Sequence, residues 1–239
     1  MRGMINWWLL TILLLVLFVP VVSLPFMWTE IQRKRSDSDS FTCNGHMSYL
    51  SVVLHRYHEK HGQLPPAYVL GPDGKPWHSW RILILRDGAC DGAEVAADYR
   101  FDEPWDGPNN RKLHTRMPKY YACPGDRAAL AAGRTNYFVV VGPGTVFPGA
   151  KPAKFADITR PHNQTILIVE AVGQDINWLE PRDLSFDNMN FETDARKAPT
   201  ISSKHKYPQA AFVDGSRRYL NDISPFELRQ MFLIHQELH

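Results

Sequence analysis

The chain has 239 residues, and its 27 lysine and arginine residues against 25 aspartate and glutamate residues give a formal net charge of +2 at pH 7. So small a charge, without a basic stripe of interleaved aromatic side chains, argues against a nucleic-acid partner. About 200 residues follow an apolar N-terminal segment, a length that suits one domain.

The N-terminal segment is the strongest pattern in the sequence. No charged side chain occurs from Gly3 to Thr29, and an apolar run extends from Leu9 to Val19. Roughly 20 apolar residues suffice for a helix to cross a bilayer, so residues 1–29 are predicted to be a transmembrane anchor. The alternative is a cleaved signal peptide with Arg2 in its charged N-terminal region.

The charges that flank the apolar segment argue against export of the domain that follows it. Arg33, Lys34 and Arg35 follow it, whereas only Arg2 and the amino terminus precede it. The positive-inside rule would keep the following domain in the cytoplasm, but both an anchor and a signal peptide export that domain. The sequence leaves this conflict open. The expected segments are an anchor at residues 1–29, a polar linker at 30–41 and a globular domain at 42–239.

A long amphipathic helix is predicted at the start of the globular domain. Apolar and aromatic residues recur there at steps of three and four, which places them on one helix face. Ser40 or Thr42 can cap its start, and Gly62 followed by Pro65-Pro66 can end it. The face consists of Met47, Leu50, Leu54, Tyr57 and His61.

Strand signals dominate the second half of the chain. Tyr137–Val141 and Thr165–Val172 are rich in β-branched residues and are predicted to be buried strands. Asp214-Gly215 separates two further strand segments, as in a tight hairpin. Ser224 and Glu227 form a capping box that opens a final helix. This order predicts an α+β fold, with the long helix packed on one face of an antiparallel sheet and a C-terminal helix.

A set of short segments occurs in a characteristic order along the globular domain. The segments are Cys43-Asn44, Leu54-His55-Arg56-Tyr57-His58, His61-Gly62-Gln63-Leu64-Pro65-Pro66, Ser79-Trp80-Arg81-Ile82-Leu83, Tyr99-Arg100-Phe101-Asp102-Glu103-Pro104-Trp105-Asp106, Asn110-Arg111-Lys112-Leu113, Cys123-Pro124, Thr135-Asn136-Tyr137, Gly142-Pro143-Gly144-Thr145, Asp157-Ile158-Thr159, Glu170, Trp178, Pro181-Arg182-Asp183-Leu184, Ser203, His205 and Phe212-Val213-Asp214-Gly215-Ser216. This set resembles a large bacterial family of unknown function whose members are prepilin-like and end in an H-x9-DG motif.

The family in turn resembles the pseudopilins of type II secretion. The resemblance implies a pseudopilin-like fold in a single-pass protein of the bacterial inner membrane, with a periplasmic domain. It also implies a non-enzymatic envelope protein that acts by protein–protein contact in secretion or surface assembly. The implied partners are the membrane and other pilin-like or envelope proteins, and no cofactor is implied. The positions that match the family motif are Trp105, Trp178, His205, Asp214 and Gly215.

Three features depart from the family pattern. Met4-Ile5-Asn6-Trp7-Trp8 stands where prepilin-like members carry their processing motif. His205 and Asp214 are spaced as H-x8-DG, one residue short, and Arg160-Pro161 stands where Asp-Gly is usual. Cleavage by a prepilin peptidase and packing into a filament are accordingly not implied.

The chain has three cysteines, of which one pair could form a disulfide outside the cytoplasm and leave one thiol over. None belongs to a C-x-x-C motif, which argues against a zinc or redox motif. Cys43 and Cys123 are a possible disulfide pair, and the sequence leaves the pairing open.

A second functional hypothesis concerns His205 and Asp214, which bracket a predicted strand and have Glu170 or Asp183 as potential neighbours. A histidine–carboxylate pair can act as a general base or hold an ion, and calcium is the ion that the pseudopilin resemblance suggests. The alternative function is therefore an anchored ion- or ligand-binding or hydrolytic domain that uses His205, Asp214 and Glu170. We prefer the simpler interpretation, in which Asp214-Gly215 supplies the turn and His205 bonds the backbone.

Three histidines recur on the amphipathic helix, at positions 55, 58 and 61. Adjacent pairs are close enough in angle to share a metal, but they do not form H-E-x-x-H. A structural role is expected instead, in which His61 packs while His55 and His58 are exposed or act as caps.

Overall fold

The computed structural model describes residues 7–88, 92–193, 200–205 and 207–235, and for Trp7 and residues 9–23 it describes the backbone alone. Its helices are α1 (Trp7–His61), α2 (Trp80–Arg86), α3 (Ala93–Asp98), α4 (Arg127–Ala131) and α5 (Pro225–Gln230). Its strands are β1 (Tyr68–Leu70), β2 (Pro76–Ser79), β3 (Tyr137–Phe138), β4 (Val140–Val141), β5 (Ile166–Glu170), β6 (Leu184–Ser185), β7 (Gln209–Phe212) and β8 (Arg217–Tyr219). The chain divides into two compact units, Met1–Asp39 and Ser40–His239.

The predicted amphipathic helix is the C-terminal part of the longer helix α1. The expected cap at Ser40 or Thr42 is wrong, because no proline or glycine interrupts residues 26–44 and the helix continues through them. The segment 30–41, expected as a polar linker, is therefore helical. The predicted end of the helix is confirmed, since Gly62 follows it at a φ of +71°, the left-handed conformation that glycine adopts easily.

The segment expected to be a transmembrane anchor, residues 1–29, is described only in part. Residues 1–6 are not described, and the side chains of residues 9–23 are not described either. Among the residues that are described, no helix combines the length and the apolar character that a membrane span requires.

A four-stranded antiparallel sheet with the order β3-β5-β7-β8 lies at the centre of the second unit. Tyr137 of β3 pairs with Glu170 of β5, and Val169 of β5 pairs with Ala210 of β7. β7 and β8 form the predicted hairpin, in which Gly215 takes a φ of +83°. Two smaller pairs accompany this sheet, the antiparallel pair β1–β2 and the parallel pair β4–β6.

Apolar side chains cover both faces of the four-stranded sheet. On one face, Leu167 and Ala211 belong to the cluster formed with buried side chains of α1 and α2. On the other face, Phe212 clusters with Leu228 of α5 and with Phe232. The α1 residues in the first cluster are Met47, Leu50, Val53 and Leu54. The predicted α+β fold is confirmed, and the C-terminal helix proves to cover the face that α1 leaves open.

A buried salt bridge joins α2 to the segment that precedes β6. The Nη2 atom of Arg81 lies 2.6 Å from Oδ1 of Asp183, and the two side chains are 0% and 1% exposed. The same Arg81 atom donates to the carbonyl oxygen of Tyr137 at 3.0 Å. Asp183 also accepts from Nε1 of Trp80 and from the backbone N–H of Val139, each at 3.1 Å. Burial raises the pKa of the Asp183 carboxyl, and Arg81 opposes that rise.

These contacts hold the Asp183 side chain in the core. Its two oxygens accept hydrogen bonds from Trp80, Arg81 and Val139, so a carboxylate that the sequence offered as an ion ligand has a structural role. Removing one partner of a buried ion pair lowers the stability of the fold by more than the intact pair contributes to it, because the remaining charge stays buried without a counter-charge.

We expect Asp183→Asn to lower the free energy of unfolding by about 3–5 kcal/mol, because Arg81 then stays buried without its counter-charge. Chemical denaturation measures the change. The matched control is Asp98→Asn, which breaks the exposed pair of Asp98 with Arg116 and should cost less than about 1 kcal/mol. Equal losses in the two variants would contradict the role assigned to Asp183.

Candidate functional site

A disulfide bond connects α1 to the loop that precedes α4. It joins Cys43 to Cys123, whose Cα atoms lie 5.1 Å apart and which are separated by 80 residues in sequence. Both cysteines are buried. The backbone N–H of Cys123 donates to Oδ1 of Asn136 at 3.0 Å, which fixes the loop next to β3. The third cysteine, Cys90, lies outside the described residues.

His205 lies directly against this disulfide. Its Nε2 atom is 3.3 Å from Sγ of Cys43 and 3.2 Å from Sγ of Cys123. The backbone N–H of His205 donates to Oγ of Ser203 at 3.1 Å, which holds the segment in place. The imidazole nitrogen and the two sulfur atoms lie within 4.8 Å of one another, and they are the one such group of potential ligands within the described parts of the chain.

Glu170 brings a buried carboxyl group close to the same segment. It lies at the end of β5, opposite Tyr137, whose hydroxyl donates to the carbonyl oxygen of Cys43 at 3.3 Å. Burial raises the pKa of Glu170 to about 7, while the Ser203 side chain and the Gln209 backbone act in the opposite direction. Neither carboxylate oxygen reaches ordinary hydrogen-bond geometry with a described residue. Glu170 is thus a weakly compensated buried acid that can change its protonation state near neutral pH.

Asp214 lies in different surroundings, at the turn between β7 and β8. Its Oδ1 atom accepts from the backbone N–H of Ser216 at 2.9 Å and from the Ser216 hydroxyl at 2.6 Å. Burial tends to raise its pKa, but these two bonds dominate and the pKa of Asp214 is lowered. The local hydrogen bonds satisfy the carboxylate within the turn itself.

The structure therefore separates the four residues that the sequence proposed as a site. His205 and Glu170 both neighbour Ser203, whereas Asp214 is bonded within its hairpin and Asp183 belongs to the buried salt bridge. The residues that do meet His205 are Cys43 and Cys123. No spacing pattern in the chain indicated this contact, because the two sulfur atoms come from positions 80 residues apart.

The two tryptophans of the family motif support the core. Trp178 is fully buried, stacks on Tyr121 and donates from Nε1 to the carbonyl oxygen of Leu113 at 3.2 Å. Trp105 packs against the edge of the same cluster and stacks on His114 at a centroid distance of 5.1 Å. Both rings act as packing elements in this arrangement.

The three histidines of α1 contact different parts of the chain. His61 pairs with Asp87 and packs against the ring of Tyr57, with a centroid distance of 4.2 Å. His55 lies between the carbonyl oxygens of Ser51 and Val213, 2.8 Å from each. His58 stacks on Phe155 and accepts its backbone N–H at 3.2 Å. Each histidine thus has its own partners, and the three do not converge on one point.

Residues 40–153 match the model of a family described as a protein of unknown function (DUF1559). The match begins at the first residue of the second compact unit. It includes both cysteines of the disulfide and ends before Glu170 and His205. No curated protein and no solved structure matches the chain.

We expect Glu170→Gln to remove a pH dependence of stability. A carboxyl whose pKa is raised from 4.5 to about 7 on folding binds its proton more tightly in the native state, so stability falls as the pH rises from about 4.5 to about 7. A rise of the Glu170 pKa from 4.5 to about 7 corresponds to about 3 kcal/mol. The glutamine variant should therefore be the more stable protein above pH 7, by up to that amount, in denaturation curves measured across this range.

The control for this experiment is Glu59→Gln, which changes an exposed glutamate of α1. It should retain the pH profile of the wild-type protein. Parallel profiles for the wild-type and Glu170→Gln proteins would show that burial of Glu170 does not govern this dependence.

We expect the double variant Cys43→Ala/Cys123→Ala to lose about 2–5 kcal/mol of stability, because the bond closes a long loop and restricts the unfolded chain. Denaturation of the oxidised proteins measures the loss. Cys90→Ala, which leaves the Cys43–Cys123 bond intact, is the control: it should contain no free thiol when oxidised and two free thiols after reduction. An unchanged unfolding free energy in the double variant would contradict this expectation.

Proposed function

We propose that the protein is a non-enzymatic, membrane-anchored, pseudopilin-like component of the bacterial cell envelope. It acts by protein–protein contact in secretion or surface assembly, and its partners are other pilin-like or envelope proteins. In this proposal, residues 1–29 attach the chain to the inner membrane as a single span, and the domain from residue 40 onwards lies in the periplasm.

Three observations support this proposal. The family model that matches residues 40–153 is commonly found in bacterial pilin-like proteins. A long N-terminal helix precedes a domain with an antiparallel sheet, which is the element order expected of a pseudopilin. The disulfide between Cys43 and Cys123 is the kind of bond that persists in an oxidising compartment such as the periplasm.

The observation that carries the proposal is an exposed apolar face on α1. Phe41 is 82% exposed and Val52 is 53% exposed, and their spacing of eleven residues places them on one side of the helix. Gly45 and Ser48 lie between them on that side, so little bulk separates the two apolar side chains. Phe41 lies beyond the predicted anchor. We assign these two outward-facing apolar side chains to contact with a partner protein.

Further exposed apolar residues lie on α1 within the first compact unit. Leu24, Met27, Trp28 and Ile31 recur at steps of three, one and three, and each is more than half exposed. This spacing places all four on one helix face. The face extends past residue 29, and we assign its last member, Ile31, to contact with a partner protein.

The ion-binding or hydrolytic alternative lacks a comparable observation. It required His205, Asp214 and Glu170 to act together, but Asp214 is bonded to Ser216 in the hairpin turn. His205 and Glu170 without Asp214 do not form the carboxylate-rich oxygen set that calcium prefers.

Photo-crosslinking in native membranes tests the proposal. A photoreactive residue in place of Phe41 should yield crosslinks to membrane-anchored pilin-like chains, identified by mass spectrometry, because the side chain faces outward. The same residue in place of Lys75, which is exposed in the turn between β1 and β2, should yield few. Isolation of the protein as a monomer, with no crosslinked partner at Phe41, would refute a function based on contact.

A further inference from the structure

The group formed by Cys43, Cys123 and His205 has a chemistry that the proposed function does not use. Two sulfur atoms and one imidazole nitrogen from three distant parts of the chain meet within 4.8 Å. The nitrogen that faces the sulfur atoms is Nε2. Thiolate sulfur and imidazole nitrogen are the ligands that zinc prefers in proteins.

We propose that reduction of the Cys43–Cys123 disulfide converts this group into a binding site for a zinc ion, with Cys43, Cys123 and His205 as ligands. The disulfide and the metal are then mutually exclusive, because both use the same two sulfur atoms. The site is independent of the proposed role in envelope assembly, since none of its ligands belongs to the exposed face of α1.

The distances agree with this proposal. In a tetrahedral zinc site, with metal–sulfur and metal–nitrogen distances of roughly 2.3 and 2.0–2.1 Å, a sulfur and a nitrogen ligand lie about 3.5 Å apart. Nε2 of His205 already lies 3.3 and 3.2 Å from the two sulfur atoms. The sulfur atoms must separate to about 3.8 Å once their bond is broken, for tetrahedral angles at the metal. Rotation of the two cysteine side chains supplies this separation without a new fold.

Among the described residues, the group of potential ligands comprises Cys43, Cys123 and His205, so one coordination position of a tetrahedral site is left for another ligand. Asp126, a carboxylate on the loop that follows Cys123, accepts a hydrogen bond from Nδ2 of Asn136 at 3.1 Å and from the backbone N–H of Ala129 at 3.4 Å. These bonds use Asp126 to cap α4. Three protein ligands with a fourth position for water form a recognised class of zinc site. His205 is partly exposed, so an ion can approach from its side even though both cysteines are buried.

Conversion of the disulfide into two zinc-binding thiolates needs a reductant that supplies two electrons. A water-soluble phosphine attacks the disulfide, and water supplies the oxygen of the phosphine oxide while the two sulfur atoms are released as thiols. Zinc then displaces both thiol protons and binds two thiolates and the neutral imidazole. In the reverse direction, a small disulfide takes up two electrons and two protons to give two thiols, the protein disulfide forms again, and zinc is released.

The test uses the full chain with Cys90→Ser, so that Cys43 and Cys123 supply the only thiols. After reduction with a phosphine under anaerobic conditions, the protein should bind one equivalent of zinc. Cobalt(II), used as a spectroscopic probe, should give the absorption bands of a tetrahedral site with thiolate ligands. Zinc should also raise the melting temperature of the reduced protein but not that of the oxidised protein, because a ligand that binds only the native state stabilises it.

Histidine variants in the same Cys90→Ser background separate this site from non-specific binding by thiols. His205→Ala should weaken zinc binding by at least about tenfold. Loss of a residue that only hydrogen-bonds to a metal ligand already lowers metal affinity by about that factor, and His205 is proposed as a ligand itself. The matched control is His46→Ala, which removes a histidine bonded to the carbonyl oxygen of Ala122, next to Cys123, and should leave the affinity unchanged. Circular dichroism of each oxidised variant establishes that it is folded before reduction.

Absence of stoichiometric zinc binding in the reduced Cys90→Ser protein would overturn the proposal. Equal affinities of the His205→Ala and His46→Ala variants would also overturn it, because the thiols alone would then account for the binding. Failure of Phe41 to crosslink to a partner bears on the envelope function only, so the two proposals can fail separately.

Discussion

The buried salt bridge between Arg81 and Asp183 is the interaction on which the arrangement of the second unit depends. It connects α2 to the segment before β6, and both partners also bond the chain around β3, at Tyr137 and Val139. Charges removed from water are stable only when every donor and acceptor around them is placed accurately. The bridge therefore fixes where β3 lies relative to its neighbours.

The position of β3 in turn determines the surroundings of the disulfide. Tyr137 bonds the carbonyl oxygen of Cys43 and lies opposite Glu170 in the sheet. Asn136, the preceding residue, holds the backbone of Cys123. A buried acid, a disulfide and a histidine are thus gathered at one end of the sheet by contacts that start from the core. Burial of the Glu170 carboxyl in this group raises its pKa, because the charged form is poorly stabilised away from water.

The two proposals assign different tasks to the two sides of α1. Its buried side carries Cys43 and the apolar residues that pack on the sheet, and the chemistry proposed there depends on the redox state of a single bond. Its exposed side carries Phe41 and Val52, which make no contribution to the core and are available to a partner. One helix can therefore serve both a covalent link within the domain and a contact between chains.

The sequence by itself determined the elements that follow from local rules. The periodicity of apolar residues predicted the buried face of α1. Asp214-Gly215 predicted the hairpin of β7 and β8, and the capping box at Ser224 predicted the start of the final helix. Only the tertiary structure decided which side chains meet, because contacts between segments 80 residues apart leave no spacing pattern in the chain. It moved Asp183 into the core and placed His205 against two cysteines, since burial and backbone hydrogen bonds are properties of the packed domain.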